Sequence, residues 1–89
     1  MELEAELLRY QIPEHMHDEV RQYALHHLPV GGFLTAVLSN DLRNAVQRAD
    51  AENTEALTRW VEFIYTTLPA GSHGSDEAVQ NWYAFKYAL

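Results

Sequence analysis

Between Leu28 and Asp50 the chain reads LPVGGFLTAVLSNDLRNAVQRAD, a proline and two glycines leading into a long apolar run. Phe33, Leu34, Val37, Leu38, Leu42, Ala45, Val46 and Ala49 share one face of a helical repeat, and Ser39, Asn40, Arg43, Asn44 and Gln47 take the other. That spacing predicts a helix over about 32–49. Ser39, Asn40 and Asp41 are strong N-cap types inside the span and could divide it near Asn40, but the stripe keeps its phase through Asp41, which favours one continuous helix. Gly31 and Gly32 stand where the first amides of that helix have no acceptor of their own. With no side chains there, either a plain turn follows Pro29 or a ligand approaches the bare backbone, and an anion suits such a place.

The remaining segments carry the same period. Glu2 to Tyr10 sets Leu3, Leu7 and Leu8 among Glu2, Glu4 and Glu6, which reads as a short amphipathic arm. Pro13 suits a first helical position, and from there to about His27 the set Met16, Val20, Tyr23, Ala24 and Leu28 faces inward. Asp50 or Asn53 is expected to cap a helix ending near Leu68, with Leu57, Trp60, Val61, Ile64, Tyr65 and Leu68 as its apolar face. Pro69 stops it, residues 70–74 make a loop, and Ser75 caps a last helix that has Asp76 and Glu77 in its first turn. No segment alternates with a period of two. The fold class expected is all-α: a compact bundle of four main helices with a short N-terminal amphipathic helix, a single domain over 1–89 with 1–11 as the arm.

Trp82, Tyr83, Phe85 and Tyr87 span too wide an arc of the last helix to share one small core. A second subunit covering part of that arc, in a homo-oligomer, is the simplest account.

Six basic residues stand against 13 acidic ones, a formal charge of −7, and this argues against a broad surface for duplex nucleic acid. There is no Cys, no apolar stretch long enough to span a membrane, and an acidic rather than basic beginning, so neither membrane span nor signal peptide is expected and a cytoplasmic setting is. Five of the six cations are Arg, the side chain that grips carboxylate or phosphate with two parallel hydrogen bonds. Pairs such as Asp18 with Arg21 and Glu55 with Arg59 would absorb some of them.

His15 and His17, His26 and His27, and His73 include no pair four apart on a helix, and no metal site is expected. Surface pairing with acids, as of His15 with Asp18 or Glu19, is the ordinary use of such residues. No Cys nucleophile, G-x-S-x-G turn or phosphate-binding glycine fingerprint is present, so no catalytic residue, cofactor or enzymatic activity is expected. A binding site remains open. If the helix starts at Gly31, Gly32 and Phe33 and at Ser75 converged, within a subunit or across an interface, Arg48, Ser72 and Ser75 could hold a phosphate while Trp82, Tyr83 or Tyr23 stacked on a base.

Ile12 and Pro13, Pro29 with Gly31, Gly32, Phe33 and Leu34, the string AVLSNDL over 36–42, Arg48 to Asp50 with Asn53, and Gly74 with Ser75 and Trp82 form a pattern across four-fifths of the chain. In this pattern the sequence resembles a group of short proteins encoded by tailed phages and prophages. An aromatic commonly precedes the Gly-Ser step in that group, where this chain has His73. The resemblance implies a phage accessory protein acting in the host cytoplasm and attaches no reaction to it. Small accessory phage proteins without enzymatic motifs often act by binding. Two modes are expected by analogy: sequestering a nucleotide-derived immune signal as a small anionic ligand, or binding and blocking a host or phage protein.

Overall fold

Every apolar run in the chain has helical phase, and a computed structural model, which describes the backbone of residues 2–88 and the side chains of residues 2–85, has helices joined by short turns. The elements are α1 (Leu3–Arg9), α2 (His17–His26), α3 (Gly32–Leu38), α4 (Leu42–Arg48), α5 (Ala51–Glu55), α6 (Leu57–Thr67) and α7 (Asp76–Ala88). Short 3₁₀ turns lie at Glu14–Met16 and Ala70–Ser72, and there is no strand among the described residues. The fold is all-α, but it is built from more and shorter helices than a bundle of four.

The largest departure is at residues 39–41. The expected helix over 32–49 is two helices, α3 and α4, separated by Asn40 in the left-handed region at φ 63°. The Asn40 amide donates to the Val37 carbonyl at 3.1 Å and the Asp41 amide to the Ala36 carbonyl at 2.8 Å, the paired hydrogen bonds of a Schellman stop. Asp41 then starts α4: its Oδ1 accepts from the Asn44 amide at 3.2 Å and its Oδ2 from Asn44 Nδ2 at 2.6 Å. Asn tolerates the left-handed conformation and Asp supplies the cap, so adjacent residues end one helix and begin the next. The apolar phase across the junction loses to this local chemistry. As a result Ala45 is buried, whereas Leu42 is 66% and Val46 53% exposed.

The expected helix from about 51 to 68 also divides, at the buried Ala56, where α5 gives way to α6. Asp50 is the cap at its start, accepting from the Asn53 amide at 2.8 Å. The inward face of α6 is Trp60, Phe63 and Ile64, all without solvent exposure. Phe63 therefore belongs to the core, while Val61 and Tyr65, assigned inward from the sequence, are 43% and 53% exposed. Trp60 sits at the centre. Its ring meets Phe33 and Phe63 edge to face at 5.7 and 6.2 Å, and its Nε1 donates to Oδ1 of the buried Asn53 at 3.0 Å. Truncating a Trp this deep costs about 3–5 kcal/mol, a large share of what a domain of this size has to lose.

The expected arm is part of this core, with Leu3 and Leu7 buried and Tyr10 packed edge to face on Phe63. Arg59 holds the end of α1 by donating to the carbonyls of Tyr10 and Gln11, rather than pairing with Glu55 as its spacing suggested. Arg21 does pair with Asp18, and it also takes Glu4 of α1 bidentately, with Nε and NH2 each at 2.7 Å from a carboxylate oxygen. His15 reaches across the fold to Asp50 at 2.8 Å instead of to Asp18 or Glu19.

At the other end α7 is fastened to α2. The buried Tyr23 donates its hydroxyl to the Ser72 carbonyl, and its own carbonyl accepts from Trp82 Nε1 at 2.7 Å. Tyr83 packs edge to face on Tyr23 at 5.8 Å, so Trp82 and Tyr83 find partners within the chain. Phe85 stays 48% exposed. The Tyr87 side chain lies outside the described residues.

Asp41→Ala removes the cap of α4 and is expected to lower stability by about 1 kcal/mol in urea unfolding. Asn40→Gly, which keeps the left-handed turn without a Cβ, should leave stability within about 0.5 kcal/mol of the parent. Equal losses from the two substitutions would contradict a stop-and-restart at this junction.

Candidate functional site

Because the chain turns back after Asn40, the last residue of α4 lies over the first residue of α3. A Cβ built on Gly32 would stand 2.7 Å from an Arg48 guanidinium nitrogen and 2.9 Å from Arg48 Cδ, both closer than real side chains come. The space a side chain would fill at Gly32 is occupied by Arg48. Among the described residues Arg48 makes no ion pair and donates no hydrogen bond, unlike Arg9, Arg21 and Arg59.

Beside Arg48 runs an open cleft of about 410 Å³, lined by Gly32 and Thr35 of α3, by Ser39, by Asp41 and Asn44 at the start of α4, and by Asp76 at the start of α7. The volume lies within the range of about 300–1,000 Å³ usual for small-molecule sites. The loop before α7 sets one wall, since the Gly74 amide donates to the Leu38 carbonyl at 2.8 Å and brings Asp76 alongside the end of α3. Ser39 Oγ is buried and has no hydrogen-bond partner. The carboxyl of Asp41 is held below its ordinary range, chiefly by the Asn44 side-chain and backbone donors, with smaller help from Arg43 and Arg48.

The residues named from the sequence meet different fates. Gly32 and Arg48 come together in the cleft, and Ser75 lies just before its Asp76 wall, its Oγ accepting from the Ala78 amide at 3.1 Å as the cap of α7. The Gly31 amide is not bare: it donates to Glu19 Oε2 at 3.2 Å. Phe33 is buried against Trp60. Ser72 is buried, its Oγ donating to the Pro69 carbonyl at 2.7 Å. Trp82 lies against the His27 ring at 3.9 Å and is committed to Tyr23. Among the described residues the cation lining the cleft is thus Arg48, with Arg43 close enough to act on Asp41, and Thr35, Ser39, Asn44 and Asp76 join it. Small or polar residues at 32, 35 and 39, in phase along α3 and its C-cap, were the signal for this wall, and it acquires meaning only once α4 folds back.

A second surface is apolar. Leu42, Leu57 and Val61 edge a shallow groove with Val37 and Ala45 at its floor, and Leu42 and Val61 are largely exposed there. Among the described residues no group of three His, Asp or Glu side chains is placed to hold a metal ion. No helix described is long and apolar enough to cross a membrane. Comparison with protein-family models, with curated proteins and with solved structures finds no match to this chain.

Two measurements check this geometry. Gly32→Ala requires only that the flexible Arg48 side chain swing aside, so the net change in stability should be about 1 kcal/mol or less, while the Arg48 side-chain resonances shift. A variant that fails to fold would mean backbone, not Arg48, fills that space. The second concerns His73, which lies edge-on to Tyr65 at 4.5 Å with both ring nitrogens buried and only the Leu68 backbone near enough to favour the charged ring. Burial holds its pKa below the ordinary value, so the fold binds the neutral ring in preference. The stability it contributes is full above the unfolded pKa of about 6.5 and is lost as pH falls through the folded value. Thermal unfolding from pH 7.5 to pH 5 should show a decline that His73→Phe removes, and an unchanged decline in that variant would place its cause elsewhere.

Proposed function

We propose that this chain is a non-enzymatic accessory protein, of the kind carried by tailed phages, that sequesters a nucleotide-derived signal by holding its phosphate on Arg48. The observation that carries the reading is the seat of Arg48: a guanidinium that makes no ion pair among the described residues, lodged where only glycine leaves room, at the edge of a cleft of mononucleotide size. Arginine donates two parallel hydrogen bonds to phosphate oxygens, and desolvation inside a cleft strengthens them. The anion determinant in this reading is the side chain, because the Gly31 amide is already taken by Glu19. The resemblance to short phage proteins supplies the biological setting, a host cytoplasm in which such a signal circulates.

Calorimetric titration against linear and cyclic nucleotides tests it. Saturable binding to at least one is expected, with Arg48→Ala weakening it ten-fold or more through loss of charge-assisted bonds worth roughly 1.5–3 kcal/mol each. Absence of binding to every nucleotide, or an Arg48→Ala variant that binds as well as the parent, overturns the reading.

The apolar surface favours a second reading, a module that binds and blocks a protein. Leu42, Val46, Val61 and Tyr65 are large, exposed and carried on α4 and α6, and Leu42 and Val61 edge one groove, the kind of apolar patch that marks an interaction site. The same surface would serve self-association into a homo-oligomer. If it is an interface, Leu42→Asp should abolish association measured by light scattering or co-purification without lowering helix content. An unchanged assembly would remove this reading.

A further inference from the structure

We infer that the cleft is selective for a guanine nucleotide carrying a single phosphodiester charge, with Asp76 accepting from the base; the inference rests on the phosphate-binding reading of Arg48. The two poles of the cleft are of opposite sign and lie at opposite ends of α3. Arg48 is over Gly32, at the start of the helix. Asp76 is at the far end, because Gly74, two residues before it, donates to the carbonyl of Leu38, the last residue of α3. From Gly32 to Ser39 the helix rises about 10 Å at 1.5 Å per residue. A ligand that satisfies both poles carries an anion at one end and hydrogen-bond donors about that far away. An α-amino acid is too short for this, and a nucleotide with its phosphate on Arg48 and its base toward Asp76 has the right reach.

The chemistry of the far pole selects the base. A carboxylate offers two acceptors side by side and no donor. Guanine is the base whose Watson–Crick edge presents two adjacent donors, N1–H and the N2 amino group, and it meets a carboxylate with two parallel bonds. Adenine offers its N6 amino group beside the N1 lone pair, which faces an acceptor unfavourably. Among the described residues Asp76 has no ion pair and its carboxylate accepts no hydrogen bond, whereas Asp41 is committed to Asn44.

Charge selects the phosphate. Among the described residues the lining holds one guanidinium, Arg48, and two carboxylates, Asp41 and Asp76, so every negative charge the ligand carries beyond the one held on Arg48 meets net repulsion. A phosphodiester, with a single charge, is repelled least by the two carboxylates, and a triphosphate most.

The test is calorimetric titration of the full chain with 3′,5′-cyclic GMP, 3′,5′-cyclic AMP and GTP, repeated with Asp76→Asn, an exposed position whose variant is checked for unchanged helix content. The parent should bind cyclic GMP at least ten-fold more tightly than cyclic AMP and than GTP. Asp76→Asn, which puts a donor beside an acceptor, should reduce the cyclic GMP preference to three-fold or less and gain affinity for cyclic AMP. Equal binding of the two cyclic nucleotides by the parent, or a preference that survives Asp76→Asn, refutes the role of Asp76 while leaving phosphate binding by Arg48 in place. Tighter binding of GTP than of cyclic GMP refutes the charge argument. No binding to any of the three, together with no binding to the wider nucleotide set, removes the phosphate-binding reading and this inference with it.

Discussion

The left-handed turn at Asn40, followed at once by the Asp41 cap, is the constraint on which the rest of the site depends. Without it residues 32–49 would run as one helix and Gly32 and Arg48 would lie at its two ends. With it, α4 returns along α3, Arg48 settles over Gly32, and polar positions 35, 39, 41 and 44 come to line one cleft. The same turn sets the outer surface: only Ala45 of α4 is small enough and placed to enter the core, and Leu42 and Val46 are left facing solvent. One local choice of backbone conformation therefore creates both surfaces on which binding is proposed.

Packing elsewhere holds that hairpin in place. Trp60 supplies the central mass, with Asn53 satisfying its indole N–H in the interior. Tyr23 does corresponding work for α7, giving its hydroxyl to Ser72 and its carbonyl to Trp82. These ties fix the loop at 70–74 and thus the position of Asp76 beside α3. Buried polar partners of this kind cost little when satisfied and a great deal when one member is removed, so they specify the arrangement as much as they stabilise it.

Much of the fold was legible in the sequence. Helical phase excluded a sheet, Pro13 and Pro69 marked boundaries, and Asp50 and Ser75 were readable as caps because short acceptors at a helix start answer orphan amides. Residues 39–41 are legible as a possible break, but the continuous apolar stripe favours one helix and puts Leu42 and Val46 inward, where the structure exposes them. Phe63 was missed because α6 begins at Leu57 after a break, which rotates its inward face toward 60, 63 and 64. The partnership of Gly32 with Arg48 is legible in the sequence only in outline, as two members of one site. That an arginine rather than a ligand occupies the glycine's space depends on tertiary return of the chain, which no local pattern encodes. Glu4 with Arg21 and His15 with Asp50 were invisible for the same reason.

The most direct test of this account is whether Gly32 and Arg48 touch in solution. In a continuous helix sixteen residues of rise would hold their backbones about 24 Å apart. Nuclear Overhauser spectroscopy on uniformly labelled protein distinguishes the two arrangements without any substitution. Cross-peaks between the Gly32 α-protons and the Arg48 δ-protons are the predicted result. Their absence, with unbroken sequential helical contacts through Ser39, Asn40 and Asp41, would contradict it.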